Sequence, residues 1–144
     1  MKKMLSGFLW VTEESEKQQC FSIRQEVFVK EQGFELEFDE IDDVAYHLLF
    51  LDDEKPVATA RLFLCDWEWH IGRVCVLKAY RNKGIGKFLV EECINKAKEL
   101  KKSTVIGLSA QTSAQAFYQK LGFSPTGDIF YDETCPHIQM KMTL

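Results

Sequence analysis

Arg81, Gly84 and Gly86 stand at the spacing R-x-x-G-x-G, and residues 74–87 around them pass from an apolar β-type run straight into a helical pattern. Such a turn suits phosphate chemistry. Glycine lets the backbone approach a ligand closely, and the first N–H groups of the helix have no acceptor inside it, so they form an anion cradle. Arg81, Lys83 and Lys87 add cations around the same turn. The plainer reading, a β–α turn with solvated lysines, has to account for glycine at both required positions. Other chemistry is sparse. The five cysteines form no C-x-x-C pair and the three histidines lack ligand spacing, so no metal site is expected and the thiols read as reduced, most of them small core residues.

The elements that must position this turn can be read from periodicity. Residues 8–11 form a first strand, and 16–30 a helix with Cys20, Ile23, Val27 and Phe28 on one stripe, capped by Thr12 or Ser15 and broken by Gly33. Residues 35–43 are acidic and read as a loop or short helical turn. Strands follow over 46–51, 57–65 and 69–77, joined by turns at 52–56 and 66–68. Residues 84–101 make an amphipathic helix, 104–108 a short buried strand, and 113–121 a helix started by Thr112 or Ser113 and ended at Gly122. Strands over 123–126, 129–131 and 138–142 complete a single mixed α/β domain over residues 1–144.

Composition agrees with that scale. The chain has 144 residues, 46% hydrophobic and 28% charged, which suits one soluble core. A net charge of −4 argues against a nucleic-acid partner, and a local basic turn in an acidic chain suits a small anionic ligand. Lys2 and Lys3 precede a short apolar stretch interrupted by Ser6 and Gly7, with no small-residue cleavage site and no run long enough to span a membrane. A cytoplasmic protein is expected.

Residues 74–87 together with 111–123 (Gln111-Thr112-Ser113-Ala114-Gln115-Ala116-Phe117-Tyr118-Gln119-Lys120-Leu121-Gly122-Phe123) resemble the two signature motifs of the GNAT (Gcn5-related N-acetyltransferase) superfamily. Residues 23–33, Ser109-Ala110-Gln111 and Pro136-His137-Ile138-Gln139-Met140 are similar to its ElaA/YjcF-like branch. The resemblance implies an α/β (α+β) fold with a mixed, mostly antiparallel sheet, splayed at the cofactor site, and helices on both faces. It also implies acetyl-CoA as cofactor, and dimers are frequent in the superfamily. Asn82, Lys78 and Gln111 depart from the broad pattern, where glycine or arginine, proline, and asparagine respectively are common.

Acetyl transfer to an amine needs a held diphosphate, a polarised thioester, a neutral amine and a protonated leaving thiolate. By resemblance, backbone N–H groups of Asn82, Lys83, Gly84, Ile85, Gly86 and Lys87 hold the diphosphate, with Arg81 beside them and Gln111 nearby. Val74, Cys75 and Val76 pair with the pantetheine arm like an added strand, and one amide there stabilises the developing oxyanion. Cys75 is either packing or a covalent carrier. Tyr118 matches the family's acid; a phenol, ordinarily with pKa about 10, is protonated at neutral pH. His70 is the candidate base, sharing a strand face with Gly72, Val74 and Val76 unless a bulge intervenes, and a solvated strand-end histidine is the alternative. Glu68 lies two residues from it.

Acceptor-side candidates are Arg24, Glu31, Gln32, His47, Arg73 and His137. The acidic segment from Glu31 to Asp43 could attract a cationic acceptor or merely be solvated. Arg24 and Arg73 could instead hold an anionic one such as glucosamine 6-phosphate, so the sequence leaves the acceptor amine open. Residues 24–42 also resemble acyl-homoserine-lactone synthases, which makes such an acyltransferase one alternative; a non-catalytic acetyl-CoA-binding module is the other.

Overall fold

The computed structural model describes residues 6–35 and 37–144; the Lys2–Lys3 pair lies outside the described residues. Strands β1 (Ser6–Trp10), β2 (Tyr46–Asp52), β3 (Lys55–Cys65) and β4 (Glu68–Val76) lie side by side and antiparallel. Two-residue turns join the last three. Asp53 and Glu54 (φ 50° and 71°) and Asp66 and Trp67 (φ 52° and 65°) adopt the left-handed conformation that matches strand twist.

Helix α1 (Glu14–Arg24) crosses from β1 to β2. It starts before the expected position because the Glu16 carboxylate turns back to accept from the N–H groups of Thr12 and Glu13, at 3.0 and 3.2 Å. Glu13 therefore caps it, in place of Thr12 or Ser15. Its second half corrects the expected continuous α-helix: Gln25–Glu31 is a π-helix. The widening follows the buried Arg24 and lets Val27 enter the core while Phe28 and Gln32 line a cavity.

Helix α2 (Ile85–Leu100) leads from β4 into β5 (Val105–Gln111), which lies parallel to β4. A 3₁₀ turn at Thr112–Ala114 opens α3 (Gln115–Lys120), so that helix is shorter than its sequence stripe suggests. β6 (Ser124–Pro125), β7 (Phe130–Asp132) and β8 (Cys135–Thr143) close the chain. The sheet runs β1-β2-β3-β4-β5-β8-β6, with β7 also on β8. β5 extends three residues past the expected end at Leu108, because Ser109, Ala110 and Gln111 keep their pairs on β8.

Strand alternation divides the core. Leu48 joins Leu62, Trp69, Leu89, Ile106 and Met140 on the α2 face, while its neighbour Leu49 joins Cys20, Ile23, Val27 and Cys75 under α1. Each fully buried side chain of this size contributes about 1.5–3 kcal/mol, which fixes both helices on the sheet. The expected mixed sheet with helices on both faces is what the chain forms. Among the described residues no helix is long and apolar enough to cross a membrane.

Candidate active site

The parallel pairing of β4 with β5 stops early. Trp69, His70 and Ile71 pair with Ile106, Gly107 and Leu108; beyond them the strands part, with no further β4–β5 pair among the described residues. The expected splay is thus present, and residues 72–76 keep one backbone edge open.

A bulge shapes that edge. On β3, Arg61 and Thr59 are two residues apart, but their partners Gly72 and Cys75 are three apart, and Arg73 inside the step has φ 51°. The extra residue reverses the alternation. Val74 and Val76 pack toward the α2-face core, whereas His70 stacks on Phe63 (centroids 5.3 Å, 16°). The expectation that His70, Val74 and Val76 share a face is therefore overturned by the bulge. Gly72 was its sequence signal. A Cβ there would lie 3.4 Å from Arg61 Nε, an ordinary packing distance.

Below the open edge lies the glycine turn. Asn82 (φ 64°) and Gly84 (φ 83°) are left-handed, and a Cβ on Gly84 would meet open space. The first backbone bond of α2 is Phe88 N–H to the Gly84 carbonyl, at 3.1 Å. No side chain caps this end and no acid occupies its first turn. The preceding N–H groups, Ile85, Gly86 and Lys87, therefore face outward as unspent donors at the positive end of a 16-residue helix.

Arg81 departs from its expected place among the diphosphate cations. Its Nε donates to the Val76 carbonyl (2.9 Å), and its two Nη atoms grip the Glu31 carboxylate at 2.7 Å each. Arg81 thus ties the end of β4 to the π-helix. Its hydrogen bonds hold the Glu31 carboxyl below the ordinary carboxylate range. Glu31 is this clamp's second half rather than a free acceptor ligand. The Lys83 ammonium lies 5.6 Å from the Tyr80 ring centroid, close to the turn.

Where β4 and β5 part, a cavity of about 570 Å³ opens. Tyr118, His70, His137, Gln32, Gln111, Arg73 and Val74 all line it, so the fold gathers seven of the sequence candidates. Gln111 Nε2 donates to Gln32 Oε1 at 2.8 Å, bridging β5 to the end of the π-helix. Tyr118 packs edge-on between Phe117 and Phe123, and burial pushes its phenol well above the ordinary tyrosine range. The hydroxyl stays protonated and makes no hydrogen bond among the described residues.

His137 faces the same space from β8, opposite Gln111. Its Nδ1 lies 2.9 Å from the Cys135 carbonyl oxygen. A carbonyl only accepts, so Nδ1 carries the hydrogen and, in the neutral ring, Nε2 carries the lone pair. The ring is further fixed by Phe130, stacked at 5.8 Å and 26°.

Three acceptor-side candidates are elsewhere: Glu31 in the Arg81 clamp, Arg24 and His47. Arg24, only 1% exposed, donates to both Glu37 oxygens at 2.8 Å and to the Asp42 carboxylate at 2.8 and 2.9 Å. Arg61 joins Asp39 (2.7 Å) to Asp42 (2.9 Å), and Arg73 donates to the Glu37 carbonyl. Glu37, Asp39 and Asp42 of the acidic segment thus neutralise these arginines, with Glu37 also lining the cavity, while Glu35, Glu40 and Asp43 are exposed. Burial pushes the Asp42 carboxyl up, but Arg24 and Arg61 outweigh it and hold it far below the ordinary range. His47 is a core histidine: its Nε2–H donates to the Asp42 carbonyl (2.9 Å), Nδ1 is buried without a partner, and burial lowers its pKa.

Cys75 packs with Cys20 and Ile23, and burial drives its thiol far above the ordinary range, which removes the thiolate a covalent carrier needs. A second cavity, lined by Ile23, Glu26, Glu31, Pro56, Leu77 and Lys78, contains neither imidazole nor phenol. Sequence reasoning missed the aromatic wall of Phe34, Phe63, Phe130 and Tyr131; an exposed Phe-Tyr pair on a short strand was the available signal.

Comparison with known proteins agrees with this geometry. The model of the acetyltransferase (GNAT) domain matches residues 11–144. YjcF of Bacillus subtilis, an uncharacterised N-acetyltransferase, is 37% identical over 130 residues, covering 88% of this chain and 92% of that protein. The crystal structure of an acyl-CoA N-acyltransferase from Pseudomonas aeruginosa superposes with a TM-score of 0.86 at 30% identity, covering 97% of this chain and 99% of that one. Escherichia coli ElaA gives 0.86 at 28% identity, with 97% and 99% covered. With a shared fold and near-complete coverage, the chain belongs to the GNAT acetyltransferase domain family, in its ElaA/YjcF-like branch, and is a GNAT-type N-acetyltransferase.

Proposed function

We propose that the protein transfers an acetyl group from acetyl-CoA directly to a primary amine, both substrates being bound at once. The observation that carries this reading is one continuous track: the outward N–H groups of the Gly84 turn, the open edge of β4, and a cavity holding a protonated phenol and an imidazole lone pair. Acetyl-CoA supplies the acetyl group as a thioester. The backbone donors of Asn82, Lys83, Gly84, Ile85, Gly86 and Lys87 hold its diphosphate, and the edge at Val74, Cys75 and Val76 receives its arm.

Proton traffic falls to the cavity wall. Alkyl ammonium groups have pKa values near 10, so a base must free the amine lone pair at neutral pH. His70 shares the cavity, but the carbonyl-fixed tautomer of His137 points to its Nε2 as the proton acceptor. As the N–C bond forms and the C–S bond breaks, Tyr118 gives its hydroxyl proton to the departing sulfur. His70→Gln and His137→Gln separate the two imidazoles: loss of the base lowers kcat/KM far more than loss of the other.

The deciding experiment is a thiol-release assay with acetyl-CoA over diverse amines. Turnover of at least one primary amine is expected. Tight coenzyme A binding with no turnover of any amine would instead make the protein a binding module.

A further inference from the structure

We infer that the acceptor is an amine carried on an aromatic body without an anionic group; the assignment rests on the cavity being the acceptor site, as proposed above. Five aromatic side chains from four separate segments converge there: Phe28 of the π-helix, Phe34 of the loop after it, Phe63 of β3, and Phe130 and Tyr131 of β7. Four of them make ring contacts there. Phe28 meets Phe34 edge-on at 6.3 Å, Phe34 meets His137 at 6.5 Å, and Phe130 and Phe63 stack on the two imidazoles. Phe130 and Tyr131 remain 41% and 68% exposed at the rim, where apolar surface has no structural use. Flat apolar bodies gain most from such walls, through area burial and ring–ring geometry.

The charges lining the cavity point the same way. A phosphate or carboxylate needs unspent guanidinium or ammonium donors. Arg61 is engaged by Asp39 and Asp42, and Arg73 donates to the Glu37 carbonyl and lies 3.4 Å from Asp39. Arg24 is out of reach, and no lysine lines the cavity among the described residues. Asp132, at the rim, has no ion pair among the described residues and favours an approaching ammonium. The same accounting disfavours an amino-sugar phosphate, whose dianion would meet Glu37 and Asp132 beside guanidiniums already paired with carboxylates.

The test compares phenethylamine, tryptamine, phenylalanine, hexylamine and glucosamine 6-phosphate. Each is titrated into the protein saturated with coenzyme A, and kcat/KM is measured with acetyl-CoA. Phenethylamine and tryptamine should bind, and should exceed glucosamine 6-phosphate and phenylalanine at least tenfold in kcat/KM, with hexylamine between. Phe130→Ala should raise KM for phenethylamine severalfold while coenzyme A affinity holds. Failure of both aromatic amines to bind, or a preference for the phosphate or carboxylate compounds, overturns the inference and leaves the acetyltransferase reading intact. Binding of the aromatic amines without turnover of any amine leaves the inference standing and overturns the proposed reaction.

Discussion

The molecule treats charge in two opposite ways. Around Arg24 the charges are paired: Arg24, Arg61 and Arg73 meet Glu37, Asp39 and Asp42, in a cluster whose formal charges cancel. Around Gly84 the helix donors are unspent, no side chain caps them, and the adjacent strand edge is unpaired. The contrast separates the two uses of polar groups. A saturated cluster positions a loop, here the acidic segment that contributes Glu37 to the cavity. An unsaturated row of donors is a site awaiting an anion.

The largest effect expected from breaking this contrast is on stability. Removing one member of a buried ion cluster leaves its partners uncompensated and costs about 3–5 kcal/mol. Arg24→Met should therefore lower the urea midpoint sharply, whereas a pure surface ion pair would hardly matter. Next in size is Tyr118→Phe. Loss of a general acid lowers kcat by about 10²-fold or more, with the urea midpoint nearly unchanged. Because burial raises the phenol's pKa, the wild-type kcat should show no alkaline limb from this group through pH 9.

Stability should also fall in acid in two phases. His47 and Asp42 both have lowered pKa values in the folded state. Their contributions are full above the unfolded values, about 6.5 and 3.9, and are lost as pH falls through the lower folded ones. Urea midpoints should decline first below pH 6.5 and again below pH 4, and Arg24→Met should flatten the second phase. The smallest effect concerns thiols. Cys65 is exposed and should react rapidly with a thiol reagent, while Cys20, raised to about 11 by burial, and Cys75 should not. Cys75→Ala should keep kcat, since no thiolate takes part.

Much of this was legible in the chain. The Arg81–Gly86 spacing located the turn, and apolar periods located α2 and the central strands, because those features are local. Three others were not. The β4 bulge is a property of the pairing, the register step between Thr59–Cys75 and Arg61–Gly72, which only the facing strand reveals. The π-helix follows from an arginine fixed by carboxylates 13 and 18 residues later. Arg24 and Arg81 look like ligand cations in sequence, and only three-dimensional pairing reveals that Glu37, Asp42 and Glu31 already occupy them.

Calorimetric titration of coenzyme A tests the central claim most directly, using the wild type and Gly84→Val, whose side chain is forced into a left-handed conformation at φ 83°. The account predicts one site per chain in the wild type and at least about tenfold weaker binding in the variant. Undetectable binding by the wild-type protein, or equal affinity in a folded Gly84→Val, would contradict it.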